Sequence, residues 1–252
     1  MHVVGLVSGG KDSMLNLTKC VEKGHKIVCL ANMCPGKRSV SSGTTEIDSY
    51  CFQSIAQEHV PLIAKCMELP LYTAELIENS SLNQNLWYEK TEGDEVEELY
   101  KLLLRIKEAH PDVNALSTGA IESNFQRLRV VHLCERLELT HLGYLWKRPP
   151  KEILDDVLTS GIKAVFVKVS AMGLHPEEYL GKILDKEIAE KLLHVPYVHA
   201  AGEGGEFETF TLDSPLFTKG YIEITASRLQ VLQSSEVVTS AVLEFSAKFV
   251  PR

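Results

Sequence analysis

Apolar positions open the chain as a short run, His2-Val-Val-Gly-Leu-Val, that breaks at Ser8. Met14, Leu15, Leu17, Cys20 and Val21 then recur at helical spacing as far as Gly24, and Lys26 to Met33 reads as a buried strand, giving a strand–helix–strand start. Ile47 to Glu58 is expected to return as helix and Leu69 to Leu76 as strand. Val96, Leu99, Leu103 and Ile106 mark one face of a helix from Asp94 to Ala109, with Pro111 beyond its end. A strand at Ala115 to Thr118, a helix at Ser123 to Leu137 and a strand at His141 to Leu145 continue the alternation. That pattern predicts an α/β domain, a parallel sheet covered by helices on both faces. From Trp146 the pattern changes to a helix at Lys151 to Leu158, a strand at Lys163 to Val169, a helix near Lys186 to His194, and strands at Phe207 to Leu212 and Tyr221 to Thr225. Val237, Val238, Val242, Leu243, Phe245 and Phe249 suggest closing strands. Two domains are therefore expected, residues 1–145 and a smaller mixed α+β unit over residues 146–252. Asn79 to Glu92 shows no clear period and stays unassigned, while Cys34 to Thr45, rich in Gly, Ser and Thr, reads as a loop at a sheet edge.

The 252 residues include 26 basic against 34 acidic side chains, a net charge of −8, which argues against stable nucleic-acid binding through many phosphate contacts. No apolar run approaches a membrane span, and the stretch before Ser8 carries no basic leader or cleavage site. A soluble cytoplasmic protein is expected. The six cysteines lie mostly in apolar stretches without a C-x-x-C pair, which favours reduced, buried thiols. None of the histidines has metal-ligand spacing.

The candidate chemistry begins where the first strand ends. Ser8-Gly9-Gly10-Lys11-Asp12-Ser13 is a turn in which two glycines let backbone N–H groups face an anion, with a helix N-terminus behind them. Lys11 adds a mobile ammonium, Ser8 and Ser13 add hydroxyls, and Asp12 is placed to hold magnesium or to cap the helix. Gly5 to Lys11 also fits G-x-x-x-x-G-K, but Asp12 stands where that loop requires Ser or Thr for magnesium, and a loop opening at Gly5 leaves too short a strand. A second strand-to-helix turn, from Gly119, groups Ser123, Gln126 and Arg129, the last able to fork onto phosphate or carboxylate. Glu92, Asp94 and Glu97 lie at a helix start, where carboxylates either complement the dipole or bind a cation. Gly202, Glu203, Gly204, Gly205, Glu206 and Glu208 form a loop before a strand, suited to close approach of a ligand, with Glu206 and Glu208 expected to point the same way from an extended chain.

Ser8 to Ser13 resembles the S-G-G-K-D-S loop of the N-type ATP pyrophosphatases residue for residue. Together with Pro70-Leu71-Tyr72, Glu92 to Glu97, Gly119-Ala120-Ile121, Ser123, Gln126, Tyr144-Leu145-Trp146, Arg148, Gly173-Leu174 and Gly202 to Asp213, it resembles the diphthine–ammonia ligases in one order along most of the chain. Phe125, Val131 and Ala56-Gln57 depart from the Tyr, Glu and Gly-His of that pattern. The resemblance implies a Rossmann-like nucleotide domain. It also implies ATP and Mg2+ as cofactors, and diphthine on elongation factor 2 as acceptor. Free ammonium would be the nitrogen source, because no glutaminase domain is evident. The implied reaction adenylates the diphthine carboxylate, releases pyrophosphate into the cradle, and lets ammonia displace AMP. Lys11, Asp12 and Glu206 are then the candidate catalytic side chains, with Asp12 the metal ligand and the backbone of Ala31 and Asn32 facing adenine. Glu92, Asp94, Glu97, Trp146, Arg148, Gly202, Glu203, Gly204, Gly205 and Glu208 are the candidates for the acceptor, whose trimethylammonium group suits carboxylates and aromatic faces. The rival readings are a tRNA-modifying ligase or thiolase of the same loop class and a nucleotide sensor without turnover; a homodimer is left open.

Overall fold

The structure is a computed structural model that describes residues 1–35, 53, 55–76, 80–235 and 238–252. Strand β1 (His2–Leu6) is central to a five-stranded parallel sheet, flanked by β2 (Lys26–Pro35) and β4 (Ala115–Ser117), with β3 (Leu71–Leu76) and β5 (Thr140–Leu142) outermost. The order β3-β2-β1-β4-β5 reverses direction between β1 and β4, so the chain leaves those strands to opposite sides and opens a crevice at their carboxyl ends.

The period of two in β2 decides which core each residue joins. Cys29 and Ala31 pack with α3 (Glu95–Ala109) and α4 (Asn124–Leu137), whereas Leu30 faces α1 (Lys11–Glu22) and α2 (Val60–Met67). Helices therefore cover both faces, as the alternation predicts. The expected helix from Ile47 to Glu58 is corrected where it is described, at residues 53 and 55–58. Ala56 sits in the left-handed region at φ 62, which ends any helix through it, and α2 begins later, after a single tight turn at Gln57–His59. Pro61 marks its first turn, where the missing N–H has no intrahelical acceptor to lose. Residues 47–52 and 54 of that expectation, residues 36–45 of the expected loop and Val237 of the expected closing strands lie outside the described residues; Cys34 and Pro35 extend β2 instead.

The second half forms an antiparallel sheet in the order β7-β6-β9-β8, from β6 (Lys163–Val169), β7 (Phe207–Asp213), β8 (Gly220–Ser234) and β9 (Thr239–Pro251). Strand β8 runs well past the expected Thr225, because its outer half is exposed on both faces and carries no alternation to read. Helix α5 (Pro150–Ser160) packs against α1, with Lys19 3.2 Å from Asp156; α6 (Pro176–Tyr179) and α7 (Lys186–Leu192) complete the second half. Met14, Leu17 and Ile63 join Phe166, Phe210 and Phe217 in one continuous core, so the two sheets share their interior.

Candidate active site

The loop after β1 is built by its neighbours as much as by its own glycines. Gly9 has φ +89, and a Cβ there would sit 2.9 Å from the Phe210 ring, so both conformation and space require glycine. The loop rests on the edge of β7: the Lys11 amide donates to Thr209 Oγ1 at 3.1 Å, and the Thr211 amide to the Gly9 carbonyl at 2.8 Å. On the other side a Cβ on Gly119 would lie 2.6 Å from the backbone of Asp12 and Ser13, so the second turn touches the first main chain to main chain. Three side-chain amides lock this arrangement: Asn16, which the sequence reading did not single out, Asn32, expected there only through its backbone, and Gln57, noted only as a departure from the family pattern. Asn16 donates to Ser117 Oγ (2.7 Å) and the Leu142 carbonyl (2.8 Å) and accepts from the Tyr144 amide (2.7 Å). Asn32 donates to the Val7 carbonyl (2.8 Å) and to Gln57 Oε1 (2.7 Å), and Gln57 donates to the Ser8 carbonyl (2.8 Å). The one signal for Asn16 was its place inside the apolar face of α1.

Between the two turns lies a cavity of about 190 Å³. Ser8, Asp12 and Ser13 line it from the first turn, Asn32 from β2, Gly119, Gln126 and Arg129 from the second turn, and Glu203 from the glycine loop of the second half. Ser123 caps α4, accepting from the Gln126 amide at 3.3 Å. Ala31 is one residue short of the cavity, its carbonyl taken by the Val7 amide at 2.9 Å; Asn32 and Met33 face the cavity instead.

Lys11 departs from the expectation of a mobile ammonium. It is 2% exposed, and its Nζ donates to the Ala201 carbonyl (2.5 Å) and Asp12 Oδ2 (2.8 Å) beneath the Phe207 ring, because the glycine loop folds over it. Asp12 Oδ1, by contrast, is buried without a hydrogen-bond partner. A hard carboxylate oxygen in that state, beside an anion cradle, fits magnesium, which takes one or two carboxylates and completes its shell with phosphate oxygens and water. Among the described residues no three His, Cys, Asp or Glu side chains converge as a metal site of their own.

The other candidate carboxylates, apart from Glu92, have structural partners. Glu203 Oε1 accepts from three successive amides at the head of α4, Ile121 (2.9 Å), Glu122 (2.8 Å) and Ser123 (2.9 Å). Glu206 lies in the turn before β7, so strand alternation does not align it with Glu208; it accepts from the His199 amide and the Gly204 amide, both at 2.8 Å. Glu208 lies 3.5 Å from the Lys168 ammonium. Gly202 and Gly205 supply φ of +76 and +80 to the same loop. Asp94 caps α3, accepting from the Val96, Leu82 and Asn83 amides at 2.9 Å. Glu97 holds Arg136 with both oxygens; burial raises its pKa, but hydrogen bonds from Arg136 and Tyr88 outweigh that and lower it. Glu92 is exposed.

Arg129 is buried, stacked 3.2 Å from the Phe125 ring and donating to the carbonyls of Phe125, Asn83 and Asn85. Arg148 is paired with Asp156 and Glu152 on α5 and does not line the cavity. The Trp146 ring carries the Arg127 guanidinium at 4.5 Å, so this face already accepts a cation. The described cysteines are free thiols, and burial pushes Cys29 and Cys134 up to about 12 and Cys66 up to about 11, which leaves them unreactive.

Fold and site together define a Rossmann-like α/β domain whose first strand-to-helix loop, at the sheet's switch point, is closed over by a loop from an antiparallel second half. Models of the diphthamide synthase N-terminal and C-terminal domains match residues 1–141 and 149–237. The diphthine–ammonia ligase of Danio rerio is 49% identical over 224 residues, 88% of this chain and 86% of that protein. That of Homo sapiens is 45% identical over 244 residues, 94% and 85% of the two chains. That of Schizosaccharomyces pombe is 48% identical over 222 residues, 87% of this chain but 35% of that longer protein. The chain belongs to the diphthamide synthase family, enzymes that form a C–N bond. Among the described residues no helix is long and apolar enough to cross a membrane.

Proposed function

We propose that the chain catalyses the ATP-dependent amidation of diphthine on elongation factor 2 with free ammonium, in the cytoplasm, by way of an acyl-adenylate. The observation that carries this reading is the buried, unpartnered Asp12 Oδ1 inside a cavity bounded by both strand-to-helix turns. In this reading residues 1–145 hold the nucleotide, its outer phosphates against Ser8 to Ser13 and its base against Asn32 and the apolar wall of Met33, Leu99 and Leu133. Residues 146–252 close the site. A carboxylate oxygen of diphthine attacks the α-phosphorus; the bond to the bridging oxygen breaks, and pyrophosphate leaves. Ammonia then attacks the acyl carbon, AMP departs with the shared oxygen, and a proton goes to solvent. A bound magnesium ion would neutralise phosphate charge beside Asp12. Lys11 contributes its positive charge from behind the loop, and Glu206 holds the shape of the loop that closes over it.

Incubation with ATP, ammonium and diphthine-bearing elongation factor 2 should yield AMP and pyrophosphate in equal amounts with the amide. Formation of ADP, or nucleotide turnover indifferent to the protein acceptor, overturns the reading.

A further inference from the structure

Residues 80–93 connect β3 to α3 without regular structure, yet the segment is tightly held. Asp94 takes the Leu82 and Asn83 amides; the Asn83 side chain donates to the Glu89 carbonyl and Thr91 Oγ1 at 3.1 Å and accepts from the Asn85 amide at 3.1 Å. Tyr88 is buried and anchors the centre. Its large apolar neighbours are left outside: Leu82 is 54% exposed, Leu86 48% and Trp87 72%. Burial of such side chains is what ordinarily stabilises a fold, so a rigid loop that displays three of them is built for contact with another molecule.

The loop's position says which one. Arg129 lines the cavity, and its guanidinium donates to the carbonyls of Asn83 and Asn85, so the display stands one side chain from the reaction chamber. A cavity of about 190 Å³ is far too small for the protein that carries the acceptor side chain, which must rest on the surface around it. Trp87 amid Asn83, Gln84 and Asn85 has the composition of an interface centre, an aromatic anchor with a polar rim. With Glu89 and Glu92 against Lys90, the segment has no positive excess for nucleic acid.

We propose that Leu82, Leu86 and Trp87 form the docking surface for the folded protein acceptor, a role that rests on the amidation reading above. The test is steady-state amidation of diphthine-bearing elongation factor 2 by the wild type and by a Leu82→Ser/Leu86→Ser/Trp87→Ala variant, with ATP affinity and sedimentation measured on both. The expected result is a KM for the protein acceptor raised about tenfold or more, as for truncation of an aromatic anchor, with kcat and ATP affinity within about twofold of wild type. Should the triple variant fail to fold, Trp87→Ser alone, at the most exposed of the three positions, should still raise KM several-fold. An unchanged KM overturns the proposal. So does a wild-type dimer that the substitutions dissociate, which would assign the surface to a second copy of the chain. A wild type that forms no amide at all refutes the amidation reading itself, and this docking role with it.

Discussion

Two glycine-rich loops meet over the cavity, and they use their glycines in opposite ways. Residues 8–13 leave polar capacity open: Asp12 Oδ1 is buried without a partner, and the turn owes its shape to neighbours such as Thr209, Asn32 and Gln57. Residues 199–206 spend their carboxylates on backbone: Glu206 closes on the His199 and Gly204 amides, the Gly202 amide reaches the His199 carbonyl, and Glu203 is spent on α4, while His199 Nε2 is buried 3.9 Å from Glu122 without a hydrogen bond. A buried polar atom with nothing to bond is costly, and the one on Asp12 lines the cavity, which makes the first loop the receptor; the second, whose carboxylates are all spent on amides, is the tool that closes on it.

The contrast is tested most severely at Lys11, which belongs to the first loop and is bonded to the second. In Lys11→Ala, pyrophosphate release at saturating ATP should fall by about 10²–10³-fold, the usual loss for one preorganised charge. Turnover that survives with only a lowered melting temperature would make Lys11 a strut between loops instead of part of the receptor. Glycine replacements separate the two loops next. Gly119→Ala drives a methyl into the backbone of Asp12 and Ser13 and should cost about 1–3 kcal/mol while weakening ATP binding. Gly205→Ala meets open space but a positive φ, and should cost about 1–2 kcal/mol with ATP binding unchanged. Thermal unfolding and ATP titration of the pair decide it.

Much of this was readable from local pattern. The parallel alternation, the helix that starts at Ser123, the helix from Asp94 and both turns follow from spacing and turn chemistry within a few residues of each position. The partners were not. Glu203 bonds to amides 80 or more residues away, Thr209 to Lys11 across the domains, and Asn16 to two strands, and nothing in a segment announces a partner that distant. The same gap explains why the acidic run at Glu92 to Glu97 reads equally as a helix start or a cation site, whereas Asp94 and Glu97 are committed to the amides and guanidinium that the fold brings to them. Phe125, where the family pattern has Tyr, stacks under Arg129 and needs no hydroxyl there.

Glu203 measures how firmly the tool is joined to the receptor. Removing its carboxylate in Glu203→Ala strips the acceptor from three amides and should destabilise by about 1–3 kcal/mol, with faster hydrogen exchange at Ile121 to Ser123. Glu203→Gln keeps a carbonyl oxygen and should recover much of both. Equal exchange in all three proteins would mean that the loop is held from elsewhere.

The smallest effect expected is in pH, and it falls on the receptor side. His141 bonds Thr118 Oγ1 at 2.7 Å just behind the cavity wall, and burial, with Arg127 adding to it, brings its pKa down from 6.5 to about 4. Below pH 6.5 the unfolded chain therefore binds a proton that the folded chain refuses, so stability is complete above that value and declines as the pH falls towards 4. One pH unit into that window the loss is about 1 kcal/mol. Denaturant unfolding at neutral pH and in mild acid should show this decline in the wild type and a flatter response in His141→Gln; identical slopes would mean that the imidazole takes up its proton in the fold, and that the floor of the receptor is wetter than its packing implies.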